Sequence, residues 1–266
     1  MSQPVPATPG RTAPLTIKTV PDPSWDTHLP INEVFGPVIQ GEGPYVGRQA
    51  SFIRLGGQGP GKGCNLTCPP CDTKQTWDAE HYDLAAENPM TFVDQVVRQT
   101  GRWNTALRVI SGGEPLLHQQ RLAWERMLRG LNALGMGGTH VETNGTIAPN
   151  DVTRFAVSHF SVSPKLTAMG GGDPEGKRIK PAALEAFRDL AEQGNACMKI
   201  VCSTEGDVEE AASFADLHGW RRELVWIMPE GDTNEKACLT ASTIGGPAVR
   251  MGFNFSPRLH LMMGVR

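Results

Sequence analysis

Three cysteines lie close together in the sequence and could bind a metal through their sulfur atoms. Cys64, Cys68 and Cys71 follow the pattern C-x-x-x-C-x-x-C. Thiolates are preferred ligands of iron-sulfur clusters and of zinc. A structural zinc site uses four protein ligands, so three thiolates leave one position for another molecule. The spacing favours an iron-sulfur cluster with one open iron, and a zinc site completed by His81 or Cys202 is the alternative.

A second segment with chemical potential is Gly112-Gly113-Glu114-Pro115, which follows an apolar run. The two glycines allow the backbone to approach a ligand closely, and the carboxylate can accept hydrogen bonds from an ammonium group. Taken alone, the same four residues would also suit a simple turn with a surface glutamate.

The other three cysteines, Cys197, Cys202 and Cys238, are scattered, and we expect them to be ordinary buried thiols because free cysteine is among the most buried residue types. Clustered thiols indicate metal or redox chemistry more than a disulfide framework.

No stretch approaches the roughly 18 apolar residues of a membrane span, and the N-terminus lacks an apolar signal core, so we expect a cytoplasmic protein.

Composition argues for a small-molecule substrate. The chain has 266 residues, a net charge of -3 and a pI near 6.2. Its basic residues form no run, which gives no support for binding to nucleic acid or to an anionic membrane. Residues 1–30 contain seven prolines and little apolar periodicity. We expect them to form a disordered arm, followed by one catalytic domain over residues 31–266.

The strands and helices that would position these groups alternate along the chain. Predicted strands span residues 50–55, 107–111, 139–143, 155–162, 196–202 and 224–228. Predicted helices span residues 91–100, 119–134, 181–193 and 208–218. This α/β alternation predicts a parallel sheet of about six strands, curled into a partial or complete barrel with helices outside. Functional groups of such sheets collect at the carboxyl ends of the strands.

The cysteine spacing and the Gly-Gly-Glu-Pro segment, in this order, resemble the radical S-adenosylmethionine superfamily. That resemblance implies an incomplete TIM-like barrel, a 4Fe-4S cluster on the three clustered cysteines, and cleavage of S-adenosylmethionine to a 5'-deoxyadenosyl radical. A glycyl-radical-enzyme activase shares the cysteine spacing and is an alternative. A zinc-stabilised binding protein without catalysis is a third possibility.

Further segments resemble the 7-carboxy-7-deazaguanine synthase family. They are Glu-Val-Phe-Gly-Pro-Val-Ile-Gln-Gly-Glu-Gly, Phe-Ile-Arg-Leu, Cys-Asp-Thr-Lys-Gln-Thr-Trp-Asp, Ile-Ser-Gly-Gly-Glu-Pro-Leu, Val-Glu-Thr-Asn-Gly, Ser-Val-Ser-Pro-Lys and Arg-Leu-His. The resemblance implies a lyase that converts 6-carboxy-5,6,7,8-tetrahydropterin to 7-carboxy-7-deazaguanine with loss of ammonia, in queuosine-type 7-deazapurine biosynthesis. It also implies magnesium, a flavodoxin- or ferredoxin-type electron donor and a homodimer.

The same resemblance assigns roles to individual residues. The S-adenosylmethionine pocket would comprise Gly112, Gly113, Glu114, Thr143, Asn144, Ser163 and Lys165. The pterin would be held by Gln40, Glu42, Arg54 and His260, and magnesium by Thr73 and Asp72. Each role has a simpler alternative: Arg54 could form a barrel-end salt bridge, Thr73 could cap a helix, and His260 could be a surface histidine.

Three features depart from the family pattern. Residues 57–63 lengthen the link between the strand and the first cysteine, at a small cost in loop-closure entropy. Pro70 stands before the third cysteine, where family members usually have an aromatic residue. The glycines at 170–172 have no counterpart that the sequence identifies.

Overall fold

The computed structural model describes residues 23–135 and 137–265. The predicted arm therefore lies outside the described residues up to position 22. The first strand begins at His28, and Leu29 is fully buried. This strand starts three residues before the predicted domain start at residue 31, and the division into an arm and a catalytic domain stays a prediction. Within the described part of the chain, none of the helices has the length and apolar character needed to span a membrane.

Nine strands form one sheet in the described residues. They are β1 (His28–Ile39), β2 (Gln49–Leu55), β3 (Met90–Phe92), β4 (Leu107–Gly112), β5 (Gly138–Thr143), β6 (His159–Val162), β7 (Ala196–Cys202), β8 (Val225–Pro229) and β9 (Asn254–Phe255). Their order across the sheet is β3-β1-β2-β4-β5-β6-β7-β8-β9.

The sheet is mostly parallel. Strands β2 and β4 to β9 pair in parallel, whereas β1 pairs antiparallel with both β2 and β3. All six predicted strands are present in parallel pairing. Because β3 and β9 are the two ends of the order, the barrel is incomplete. The predicted fold class is confirmed.

Ten α-helices occur in the described residues. They are α1 (Leu84–Glu87), α2 (Val93–Gly101), α3 (Leu122–Ala133), α4 (Asp151–Ala156), α5 (Thr167–Gly170), α6 (Glu175–Arg178), α7 (Pro181–Glu192), α8 (Glu205–Leu217), α9 (Asn234–Arg250) and α10 (Leu259–Met262). In α3, the apolar positions Trp124, Met127, Leu128 and Leu131 recur at helical spacing and are fully buried.

Three buried histidines lie in or beside the strands and predict how stability depends on pH. Burial is the main cause that lowers the pKa of His118, His140 and His159 to about 4. In the unfolded chain the pKa would be about 6.5. Between these values the unfolded chain binds more protons, so the free energy of unfolding is expected to fall as the pH falls from about 6.5 to about 4.

Urea unfolding of anaerobically purified protein between pH 7 and pH 4 measures this slope, with His159→Phe expected to make it shallower. Glu114 acts in the opposite direction, because burial raises its pKa to about 7. Its contribution is present at low pH and is lost as the pH rises through about 7. A free energy of unfolding that did not fall towards pH 4, or an unchanged slope in His159→Phe, would contradict the prediction.

Candidate active site

A cavity of about 480 Å³ is lined by residues at and beyond the carboxyl ends of the parallel strands. Every predicted site residue except Glu114 lines it. These residues are Gln40, Glu42, Arg54, Cys64, Cys68, Cys71, Asp72, Thr73, Gly112, Gly113, Thr143, Asn144, Ser163, Lys165 and His260. Residues that are far apart in the sequence thus meet around one space, as the strand-end rule predicts.

The cysteine segment is a loop between β2 and β3, and its three sulfur-bearing residues share the cavity. The backbone N–H of Leu66 donates to Cys64 Sγ over 3.4 Å, and the indole Nε1–H of Trp77 donates to Cys71 Sγ over 3.3 Å. Hydrogen bonds of this kind stabilise thiolate ligands of a metal centre.

The zinc alternative finds no fourth ligand in the residues proposed for it. His81 lies at the surface, where its Nδ1 is 2.9 Å from Asp78 Oδ2. Cys202 is buried in the apolar core. Neither lines the cavity that the three clustered cysteines share.

Of the other predicted buried thiols, Cys197 is buried but Cys238 is exposed on α9, so the prediction for Cys238 is wrong.

Burial favours the neutral thiol form of Cys64 and Cys68. It raises the pKa of Cys64 to about 12 and is also the main cause that raises the pKa of Cys68. A cation must therefore displace the thiol protons when it binds, which couples metal loading to proton release.

The glycines of the second motif are required by close packing. A Cβ on Gly112 would lie 1.9 Å from the Leu55 carbonyl oxygen, and one on Gly113 would lie 2.0 Å from the Gly63 carbonyl oxygen. Gly112 also has φ +134°, a region that favours glycine. The missing side chains let the end of β4 lie directly against β2 and the cysteine loop.

Glu114 lies behind the cavity wall rather than in it. It is fully buried and does not line the cavity. Its carboxylate accepts hydrogen bonds from the Thr143 hydroxyl (2.9 Å), the Asn144 N–H (2.7 Å) and the Leu116 N–H (3.0 Å). The carboxylate thus fixes the end of β5 relative to β4, and the place of Glu114 in the S-adenosylmethionine pocket stays a prediction.

Asn144 connects the end of β5 to the cysteine loop. Its Nδ2 donates to Asn65 Oδ1 over 2.9 Å, and Asn65 Nδ2 donates to Thr146 Oγ1 over 2.8 Å. Asn65 lies directly after Cys64, so this network sets the position of the first cysteine relative to the strand end.

Glu42 lies in a buried charge network that sequence reasoning missed. Its carboxylate forms ion pairs with Lys199 on β7 and with Arg258, whose Nε lies 3.1 Å from Glu42 Oε1. Burial alone would raise the pKa of Glu42, but the charges of Lys199 and Arg258 outweigh it and lower the pKa to about 2. Glu42 is therefore a carboxylate anion at neutral pH.

Glu142 on β5 is a second acidic residue that lines the cavity; the strand-end rule includes it among the expected functional groups, but no individual role was assigned to it. Gln40 Nε2 donates to its Oε1 over 3.2 Å, and the Ser111 hydroxyl donates to its Oε2 over 2.9 Å. One sequence signal indicated that Lys199 and Glu142 have specific partners or roles. Lys199 and Glu142 are charged residues within predicted apolar strands, where such residues are rarely buried without a function or a partner.

Arg54, Thr73 and His260 each had a simpler alternative role, and their contacts bear on it as follows. Arg54 pairs with Glu33, with 2.8 Å between Nε and Oε1, and also lines the cavity. Thr73 precedes the 3-10 helix Lys74–Thr76, but its side chain forms no capping hydrogen bond and its hydroxyl lies 3.6 Å from Cys71 Sγ. His260 on α10 lines the cavity, and burial is the main cause that lowers its pKa.

Residues 57–63, the insertion before the cysteines, form a loop whose two ends lie next to each other. A Cβ on Gly57 would lie 2.1 Å from the Gly63 nitrogen, and the Gly57 N–H donates to the Thr76 carbonyl over 3.0 Å. Because the two ends of residues 57–63 meet, the extra residues do not displace Cys64 from the cavity.

Comparison with known proteins identifies the family. A family model described as a 4Fe-4S single cluster domain matches residues 59–158. A 7-carboxy-7-deazaguanine synthase from Hyperthermus butylicus is 37% identical, covering 90% of this chain and 94% of the relative. One from Pyrobaculum aerophilum is 34% identical, covering 86% and 92%. The chain belongs to the 7-carboxy-7-deazaguanine synthase family.

A solved structure of QueE from Escherichia coli has the same fold, with a TM-score of 0.55 and 23% identity over 86% of this chain and 93% of that chain. Membership of the 7-carboxy-7-deazaguanine synthase family confirms the predicted radical S-adenosylmethionine enzyme, with a 4Fe-4S cluster and S-adenosylmethionine as cofactors. It decides against a zinc-stabilised binding protein and a glycyl-radical-enzyme activase.

Proposed function

We propose that this chain converts 6-carboxy-5,6,7,8-tetrahydropterin to 7-carboxy-7-deazaguanine by radical ring contraction with loss of ammonia. The observation that carries the proposal is that one cavity joins the three clustered thiols to the anion Glu42 and the cation Arg54. A site for this reaction must hold a radical source next to a polar bicyclic substrate with one carboxylate. The cavity offers groups for both.

For the cofactors, we assign the cluster to Cys64, Cys68 and Cys71. When bound, the reduced cluster would supply one electron to S-adenosylmethionine, whose cleavage would provide a 5'-deoxyadenosyl radical that abstracts a substrate hydrogen. The pocket for S-adenosylmethionine would comprise residues that line the cavity next to the cysteines. They are Gly112, Gly113, Thr143, Asn144, Ser163 and Lys165. Gly112 and Gly113 support this assignment because they bring the end of β4 close to the cysteines: a Cβ on Gly112 would collide with Leu55 and one on Gly113 with Gly63.

For the substrate, we assign Gln40, Glu42, Arg54 and His260. The Glu42 carboxylate can accept hydrogen bonds from the N–H groups of an amino-pyrimidinone ring, and its low pKa keeps it an acceptor. The Arg54 guanidinium can pair with the substrate carboxylate in a bidentate geometry. These two contacts at opposite ends of the pterin would fix its orientation.

For magnesium, we assign Thr73, with Asp72 beside it. Magnesium prefers hard oxygen ligands and keeps several waters, so one hydroxyl together with the substrate's own oxygens would suffice. Thr73 lines the cavity, and Asp72 Oδ2 lies 3.2 Å from Arg258 Nη2. The flavodoxin- or ferredoxin-type donor, the homodimer and the cytoplasmic location stay predictions.

Turnover of the reconstituted protein tests the proposal. Anaerobic incubation with the carboxy-tetrahydropterin, S-adenosylmethionine, a reductant and magnesium is expected to give 7-carboxy-7-deazaguanine and ammonia in equal amounts, as measured by mass spectrometry and an ammonia assay. An intact cluster that cleaves S-adenosylmethionine with no deazaguanine product would contradict the substrate assignment. Glu42→Ala is expected to abolish product formation while the cluster spectrum remains.

Trp77→Phe is expected to make the cluster harder to reduce. The substitution removes the indole N–H that donates to Cys71 Sγ over 3.3 Å but keeps an aromatic ring. A hydrogen bond to a ligating sulfur stabilises the reduced, more negative cluster, so its loss should give a more negative midpoint potential. An EPR-monitored redox titration measures this. Trp226→Phe, at a residue on β8 outside the cavity lining, is the matched control, and equal potentials for all three proteins would contradict the prediction.

A further inference from the structure

The glycine-rich segment from Gly170 to Arg178 packs against the cysteine loop. It lies between β6 and α7 and includes the glycines that the family pattern left unexplained. A Cβ on Gly172 would lie 3.0 Å from the Thr67 carbonyl oxygen, and one on Gly170 would lie 2.3 Å from the Arg178 side chain. Gly172 therefore allows this segment to approach the cysteine loop, which lies about a hundred residues earlier in the chain, and Gly170 makes room for the Arg178 side chain.

Asp173 is the polar contact between these two segments. A single carboxylate oxygen, Oδ2, accepts hydrogen bonds from the backbone N–H of Thr67 (2.5 Å) and from its hydroxyl (3.0 Å). The other oxygen, Oδ1, pairs with Lys177 Nζ. Asp173 is 8% exposed. Thr67 directly precedes Cys68, so a buried carboxylate fixes the backbone next to the second cysteine.

The same segment also holds the strand end after β6. Arg178 Nε donates to the Asp173 carbonyl oxygen over 2.9 Å, and its Nη1 donates to the Lys165 carbonyl oxygen. Lys165 lines the cavity with Ser163, and its Nζ donates to the Ser163 hydroxyl over 3.0 Å. The segment thus links the cysteine loop to the Ser163–Lys165 end of the cavity.

We propose that Asp173 is a positioning residue that holds the cysteine loop in the conformation in which it binds the iron-sulfur cluster. The inference rests on the assignment of the cluster to Cys64, Cys68 and Cys71. A loop with three ligands loses much conformational entropy when it binds a metal, and a prearranged loop loses less. Hydrogen bonds to a buried charged acceptor are strong and directional, so they can provide that arrangement.

Iron release from the anaerobically reconstituted holoenzyme tests the proposal. Asp173→Ala is expected to release iron to a ferrous chelator about tenfold faster than the unchanged protein, because it removes both bonds to Thr67. Asp173→Asn keeps one acceptor oxygen and should recover part of the difference. Asp189→Ala removes an exposed acid on α7 and should release iron at the original rate. We also expect Asp173→Ala to alter the EPR spectrum of the reduced cluster with S-adenosylmethionine bound.

Two results would overturn the proposal. The first is an Asp173→Ala protein with an unchanged rate of iron release and an unchanged EPR spectrum. The second is an Asp173→Asn protein that has normal circular dichroism but releases iron as fast as Asp173→Ala. If Asp173→Ala does not fold, Thr67→Val decides, because it removes only the hydroxyl donor and should still accelerate release. Failure of the underlying assignment looks different. In that case Cys68→Ala would hold as much iron as the unchanged protein.

Discussion

Replacing Cys68 by alanine is expected to remove the iron-sulfur cluster and to reduce deazaguanine formation below detection. The three clustered cysteines line one cavity, and neither His81 nor Cys202 reaches it to supply a replacement ligand. Two thiolates cannot hold a 4Fe-4S cluster that three thiolates ligate with one iron left open. Without the cluster, no electron reaches S-adenosylmethionine. Iron content, the visible spectrum and product formation measure the result on the same sample.

Cys238→Ala is the matched control, because Cys238 is an exposed thiol on α9 outside the cavity lining. It should keep four irons and full turnover. The control separates loss of a ligand from loss of any cysteine. A Cys68→Ala protein that kept its cluster and its product formation would show that the open-iron interpretation of the C-x-x-x-C-x-x-C pattern is wrong for this chain.

The parallel strands could be predicted from sequence because each is a short apolar run that ends in glycine or polar residues. Strand β1 could not, since Pro30, Gly36 and Pro37 within it are residues that normally argue against a strand. Helix α9 was missed for a similar reason: its pattern is interrupted by Gly245, Gly246 and Pro247.

The strand predicted at residues 155–162 was wrong over its first half, where α4 ends at Ala156. The sequence there is apolar enough to suggest a longer strand, yet Phe155 is 88% exposed. The available signal was Asn150, whose side chain accepts from the Thr153 N–H over 2.9 Å and caps the helix. The Asn150 cap therefore indicates the start of helix α4 more reliably than the apolar pattern indicates a strand.

Most candidate site residues could be predicted because they belong to short motifs at strand ends. The contacts between motifs could not. Glu42 pairs with Lys199 although 157 residues separate them, and no local pattern specifies such a pairing. The position of Glu114 was also beyond sequence reasoning, because a carboxylate next to two glycines gives no indication of which neighbours its oxygens accept from.

Replacing Lys199 by methionine is expected to lower the free energy of unfolding by about 3–5 kcal/mol, because it removes one partner of a buried ion pair. Lys199 and Glu42 have side chains only 8% and 14% exposed. With Lys199 removed, burial of Glu42 is opposed mainly by Arg258, so the pKa of Glu42 should rise from about 2. We also expect kcat/KM for the pterin to fall by about tenfold or more at a pH where Glu42 becomes protonated, since a neutral Glu42 is a poorer acceptor.

The pH dependence distinguishes this mechanism from loss of packing. The low pKa of Glu42 contributes stability that is fully present above about pH 4.5 and is lost as the pH falls through about 2. The stability difference between the unchanged protein and Lys199→Met should therefore be largest above about pH 4.5 and should narrow in acid. In turnover assays, the acid limb of kcat/KM should move to higher pH in the variant. Urea unfolding and initial rates across pH measure the two effects.

Two substitutions complete this experiment. Lys199→Arg keeps the positive charge and should recover most of the stability and the original acid limb. Lys236→Met breaks an ion pair in which the exposed Lys236 Nζ lies 3.0 Å from Glu230 Oε1, and it should leave the free energy of unfolding nearly unchanged. If Lys199→Met changed stability equally at all pH values and left the acid limb in place, Lys199 would act through packing of its aliphatic chain, and Glu42 would not depend on it for its charge.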